Sequence, residues 1–334
     1  MKKSGQTKKE PSIVCIGGGT GLSTMLRGLK LFLPDITAIV AVTDDGGGSG
    51  VLRDELGMPP PGDIRNCILA LSNVEPTMGE LMSYRFDSGS LAGQSFGNLF
   101  LAAMNGISES FDKAVARTGE VLAITGRVLP VTNEDIRLKA VFEDGSEILG
   151  ESKIPEEKQI RKCRIDHVQL VPRSPKGLQE SIDAISNAEM IVFGPGSLYT
   201  SIIPNLLVGG IAEAVAASDA IKLYVCNLMT QPGETDGYTA SDHIKALFQH
   251  SSEKLFDLCL LNNKPAEPQL LEKYTAGGAD IVLSDIEEIK KLGVEVHEAP
   301  LFGNGNNLVR HDPRLLAREI MGIFREKAPT REYG

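Results

Sequence analysis

Short apolar runs, each followed at once by a loop of glycine and small polar residues, constrain this chain more than any other feature. Residues 12–17 (SIVCIG) lead through GGTG into a helical pattern over about residues 22–33. Residues 36–42 (ITAIVAV) lead into TDDGGGSG, and residues 190–193 (MIVF) into GPGSLYTS and a helix ending near residue 217. Residues 222–226 (KLYVC) lead into NLMTQPGETDG and a helix over about 239–250, and a fifth run, 256–261, ends in Asn262 and Asn263. Apolar strands alternating with helices predict an α/β fold, a Rossmann-like, mostly parallel sheet with helices on both faces. Ligands of such sheets bind beyond the carboxyl ends of the strands, where all these loops fall.

One stretch breaks the pattern. About residues 120–171 alternate apolar and polar positions and contain the turn signal Asp144-Gly145, which predicts an antiparallel β insertion or extension. Residues 64 to about 107 read as mainly helical, and the run from Asp312 and Pro313 onward reads as an amphipathic helix with an aspartate cap. No linker separates two domains: residues 11–328 read as one unit, with a disordered tail at 1–10 and a short tail at 329–334.

Composition narrows the function. A formal charge of −10 argues against a nucleic-acid partner, which calls for a basic face. No apolar run approaches the ~18–20 residues that cross a bilayer. The five cysteines include no C-x-x-C pair and read as reduced core thiols, which fits the cytoplasm. The five histidines show no ligand spacing, so zinc is not expected.

The loops carry the chemistry. Gly17, Gly18, Gly19, Thr20 and Gly21 allow close backbone approach and open a helix whose first N–H groups suit an anion; a tight strand–helix turn is the plain alternative. Leu22 stands where the dinucleotide fingerprint needs glycine, which weakens a nicotinamide reading. Gly46, Gly47, Gly48 and Ser49 form a second array of donors, directly after Asp44 and Asp45. Those acids would face a metal such as Mg²⁺, a sugar hydroxyl or the fold itself, and they are the catalytic candidates if there is a reaction. Gly194, Gly196 and Ser197 supply a third loop. Asp63, Arg65 and Asn66 open a helix, where they would touch ligand or serve only as a helix entry. Asn98, Asn227 and Thr230 are candidate sugar contacts, and Arg310 is a candidate fork for a phosphate or a base carbonyl, or else a surface ion pair. Three glycine loops at corresponding strand ends favour a phosphate-bearing small molecule.

With these residues the sequence resembles the CofD-like superfamily, and within it the YvcK branch of gluconeogenesis factors. The resemblance rests on IGGGTGLSTMLRGLK, AVTDDGGGSGVLRDELGMPPPGDIRNCILALS, FGNLFLAA, FGPGSLYTSIIPNLL and CNLMTQPGETDGY, and spans nearly the whole chain. It implies a Rossmann-like fold. Its enzyme branch is similar to 2-phospho-L-lactate transferase, which uses Mg²⁺ and a nucleotide diphosphate donor to modify a deazaflavin. The YvcK branch implies a role in cell shape and growth on gluconeogenic carbon sources, with binding of a UDP-sugar such as UDP-N-acetylglucosamine. Gly17 to Gly21, Asp44 and Asp45 match the enzyme branch, whereas GGGSGVLRDELGMPPPGD departs from it. The expectation is therefore a cytoplasmic nucleotide-sugar-binding regulator without demonstrable transferase activity. A regulatory protein partner and a homo-oligomer are compatible with it. The alternative is a Mg²⁺-dependent transferase of a phospho-ester group.

Overall fold

The computed structural model describes residues 11–161, 163–252, 255–303 and 309–328. The expected tails, 1–10 and 329–334, lie outside the described residues. In chain order the strands are β1 (Ile13–Gly17), β2 (Ile36–Val40), β3 (Arg127–Pro130), β4 (Arg137–Phe142), β5 (Glu147–Leu149), β6 (Ile165–Val171), β7 (Met190–Phe193), β8 (Ile221–Val225), β9 (Leu258–Asn262) and β10 (Glu295–Ala299). Three early helices, α1 (Gly19–Leu29), α2 (Gly47–Leu56) and α3 (Gly62–Leu71), carry the first loops.

Seven strands form one parallel sheet in the order β10-β9-β8-β7-β1-β2-β3. Every residue of β1, β2 and β7 is buried, as a sheet covered on both faces requires. The chain winds outward from β1 toward β3, then crosses to β7 and winds the other way. The order therefore reverses between β1 and β7, the point at which sheets of this kind open a crevice beyond their strand ends.

The antiparallel unit is narrower than the sequence suggests. It is the three-stranded sheet β5-β4-β6, and β4 alternates half-buried and buried positions along one covered face. Its hairpin turns at Asp144, whose carboxylate accepts the Ser146 N–H at 2.9 Å. Residues 120–136 do not belong to it. The helix Phe111–Val121 ends there, and β3 joins the main sheet parallel to β2, because Val128 to Pro130 are buried in succession rather than alternately.

Other boundaries move for local reasons. Helix α1 starts one turn before its apolar periodicity, which begins only at Leu22. The helical region after β7 is a widened turn, Leu198–Ile202, then Ile203–Leu206 and Ile211–Ala217, interrupted at Gly209 and at Gly210 with φ of 88°. Strand β10 was not expected, since four of its five residues are exposed or half-buried. The C-terminal helix Pro313–Lys327 is capped by Asp312, which accepts from the Arg314 and Leu315 N–H groups. All five cysteines are free, and all but Cys163 are buried.

Candidate functional site

A cleft of about 370 Å³ opens at the reversal between β1 and β7. Gly19, Thr20, Gly21 and Thr24 bring the first turn of α1 to it. Gly196 and Ser197 come from the loop after β7, and Asn227, Thr230 and Gln231 from the loop after β8. Tyr274, Arg310 and His311 complete the lining. No aspartate or glutamate lines it among the described residues. The positive end of the α1 dipole and the Arg310 guanidinium thus face a cleft without opposing carboxylates, which suits an anion. Burial pushes the His311 imidazole down to about 4, so it is neutral at physiological pH, and its Nε2 is buried without a hydrogen-bond partner.

The cleft is held by its own backbone. A Cβ at Gly21 would stand 2.4 Å from the Pro195 carbonyl oxygen, so this close approach of α1 to the loop after β7 requires glycine. Asn227 clamps that loop on both sides: its Oδ1 accepts the Gly196 N–H at 3.1 Å and its Nδ2 donates to the Gly196 carbonyl at 2.7 Å. Thr230 is tied likewise, donating its N–H to the Asp280 carbonyl and accepting the Asp280 N–H at its hydroxyl. The Tyr274 hydroxyl accepts the Val309 N–H at 3.0 Å and so anchors the chain segment that carries Arg310.

The remaining sequence candidates gather behind the cleft in a second polar cluster. Asp63 joins the two groups: its carboxylate accepts the Gly19 N–H at 2.6 Å and steadies the start of α1 instead of capping α3, where it lies in the first turn. Burial, resisted by the Gly19 bond and reinforced by the Asp44 charge, pushes the Asp63 carboxyl up to about 6. Gly18 leaves no room for a side chain, because a Cβ there would come within 2.7 Å of the Asp63 carboxylate. Gly17 and Gly194 end or follow their strands without reaching the cleft lining.

Asp44 and Asp45 bind backbone. Asp44 Oδ1 accepts the Gly46 N–H and Asp45 Oδ1 the Ser152 N–H, each at 2.9 Å. Gly46 caps α2, and Gly47, Gly48 and Ser49 form its first turn. That helix end is covered by side chains: Asn98 Nδ2 donates to Ser49 Oγ at 3.4 Å, and a Cβ at Gly48 would meet Gln94 Oε1 at 2.6 Å. Arg65 spans the cluster by donating to Ser95 Oγ and, at 2.7 Å, to Asn66 Oδ1. Asn98 is 3% exposed and does not line the cleft. Among the described residues no three of His, Cys, Asp and Glu are grouped as metal ligands. A divalent cation would have to be shared between the Asp44–Asp63 side and phosphate oxygens of a ligand, an arrangement open to Mg²⁺.

Two cleft residues gave no sequence signal. Tyr274 lies in a solvent-facing helix, Pro268–Ala276, and His311 in an irregular segment; only the long-range closure of the chain brings them beside α1.

The doubly wound sheet, its strand reversal and the glycine-opened helix at that point define a Rossmann-like α/β protein with a preformed crevice at its strand ends. The chain belongs to the CofD family: the family profile, described as 2-phospho-L-lactate transferase CofD, matches residues 13–302. A protein of Thermoanaerobacterium thermosulfurigenes is 54% identical over 314 residues, 94% of this chain and 97% of that protein. A Bacillus subtilis protein named gluconeogenesis factor is 48% identical over 319 residues, 95% of this chain and 99% of the relative. A crystal structure of a Bacillus halodurans protein, described as a member of the UPF0052 family, superposes with a TM-score of 0.90 at 45% identity, covering 93% of this chain and all of that one.

Proposed function

We propose that the chain binds a nucleotide sugar of the UDP-N-acetylglucosamine type and acts as a regulator of growth on gluconeogenic carbon and of cell shape, in the cytoplasm. The cleft carries this reading: the α1 N-terminus and Arg310 both line it, in a lining without carboxylates among the described residues. A diphosphate fits the free N–H groups at Thr20 and Gly21, because the Gly19 N–H is already taken by Asp63. Arg310, His311 and the Tyr274 ring would hold the nucleoside, and Ser197 and Gln231 the sugar hydroxyls. Asn227 and Thr230 act one step back, by fixing the loops that line the site. The gluconeogenic role is supported by relatives that carry the name gluconeogenesis factor over nearly their whole length.

Titration calorimetry with UDP-N-acetylglucosamine tests this. Saturable binding is expected, weakened about tenfold or more by Arg310→Ala through loss of one charge-assisted contact. Absence of heat from folded protein at millimolar ligand would overturn it.

A second reading, Mg²⁺-dependent transfer of a phospho-ester group, is favoured by one observation. Asp44, Asp63 and Glu151 lie within electrostatic reach of one another directly behind the α1 turn. Here the chain's own part would be to share the cation between these carboxylates and the donor's phosphates. Mg²⁺-dependent turnover of a nucleotide donor, abolished by Asp44→Asn, would establish it in place of simple binding.

A further inference from the structure

A buried carboxyl stands directly behind the cleft lining. Glu234 is 1% exposed, and its Oε1 accepts from the Gln231 amide at 2.5 Å and from Thr200 Oγ1 at 3.2 Å. Gln231 Oε1 in turn accepts from Ser197 Oγ at 2.6 Å, and Gln231 and Ser197 both line the cleft. Glu234 Oε2 is buried without a hydrogen-bond partner. An ionised carboxylate buried with one oxygen unpartnered is costly, so the site favours uptake of a proton.

We infer that Glu234, Gln231 and Ser197 form a proton-controlled relay that decides whether Ser197 accepts or donates a hydrogen bond in the cleft. With Glu234 ionised, its Oε1 holds the Gln231 NH₂ group. The Gln231 oxygen then takes the Ser197 hydroxyl hydrogen, and Ser197 offers the cleft only lone pairs. When Glu234 takes a proton from solvent, the amide turns over and its oxygen accepts the new O–H. The NH₂ group then donates to Ser197 Oγ, and the hydroxyl hydrogen turns toward the cleft. An anionic ligand gains a donor in the protonated state and binds it more tightly.

The charged environment places this change near neutrality. Burial pushes the Glu234 carboxyl up to about 7, against hydrogen bonds from Thr200 and the Tyr199 backbone. Lys158, from the helix Ile154–Arg161, lowers it, and Asp236, from the same loop, raises it. Glu151 and the Tyr199 phenol also feel the Glu234 charge, and burial raises both of them well above their ordinary ranges.

The relay rests on the proposed binding of an anionic nucleotide sugar, and the test separates the two. UDP-N-acetylglucosamine, whose diphosphate diester does not titrate near neutrality, is bound at a series of pH values from about 6 to 8.5. Wild-type affinity is expected to fall about tenfold across this range, the worth of one hydrogen bond to a charged group. Glu234→Gln is expected to hold the tighter affinity throughout, and Ser197→Ala the weaker one. Parallel pH profiles for wild type and Ser197→Ala would overturn the relay while leaving the cleft reading intact, and they decide the matter even if Glu234→Gln does not fold. Should the sugar not bind at any pH, the ligand reading fails and the infrared C=O band of the buried carboxyl decides the relay instead. A band lost as pH rises through about 7, missing in Glu234→Gln and shifted in midpoint by Ser197→Ala, supports it; a band unaffected by Ser197→Ala overturns it.

Discussion

Asp44 and Asp45 stand beside glycines that would attract phosphate, and at the scale of residues the structure assigns each to a backbone N–H, of Gly46 and Ser152. The sequence shows that carboxylates and donors share a loop but not which donors they meet, because Ser152 lies in the insertion, over a hundred positions away. Gly21 is the opposite case. A glycine-opened helix after a strand is legible at once, while the reason for this glycine is the Pro195 carbonyl, which only the fold brings near. Gly21→Ala would force Cβ to within 2.4 Å of that oxygen unless the loop moves. The expected outcome is destabilisation by about 1–3 kcal/mol in urea unfolding, together with weakened ligand binding as Ser197 is displaced. A variant of unchanged stability and affinity would show that the two loops are not in close contact.

Elements were legible in proportion to how uniformly they are buried. β1, β2, β7 and β9 read directly as apolar runs, whereas β10, with Glu295, His297 and Glu298 in its length, gives no such run and is recruited by pairing with β9. β3 was legible as a strand but not in its direction, since four residues carry too little periodicity to distinguish a buried parallel edge from a hairpin arm. Helix packing left a sharper trace than the sequence could explain. A Cβ at Gly28 of α1 would fall 1.8 Å from the Pro313 carbonyl oxygen and 2.9 Å from the Ala317 Cβ, so α1 and the start of the C-terminal helix approach backbone to backbone. Gly28→Ala must push that helix away and is expected to cost about 3 kcal/mol, the upper part of the range for overpacking. Arg310 and His311 lead directly into the same helix, so ligand affinity should fall with it. Gly322, with open space at its would-be Cβ, is the control: Gly322→Ala on the same helix should stabilise by about 0.5–1 kcal/mol in the same urea titration. Equal effects at the two positions would remove the packing argument.

Over the whole molecule, two sets of buried groups oppose each other as pH changes. Burial raises the carboxyls of Asp63 to about 6 and Glu234 to about 7, and raises Glu151 well above its ordinary value. A raised carboxyl contributes stability that is fully present below its unfolded pKa and is lost as pH rises through its folded one. Burial also lowers His311 to about 4, and lowers His243 and His250. A lowered imidazole acts in the other direction: its contribution is complete above its unfolded pKa of 6.5 and is lost as pH falls toward its folded pKa. Between roughly pH 4.5 and 6.5 the two sets therefore offset one another. Above that window the histidines no longer change, while Glu234 continues to ionise, so stability should peak in the mildly acidic range and decline through neutrality. Glu234→Gln isolates one contribution. Its shift from 4.5 to about 7 predicts that the variant gains on wild type by roughly 2–3 kcal/mol between pH 5 and pH 8. Chemical unfolding of both proteins at those two pH values measures the difference directly. A gap that stays constant with pH would mean that the folded chain does not raise the Glu234 carboxyl, and the expected decline through neutrality would fall with it.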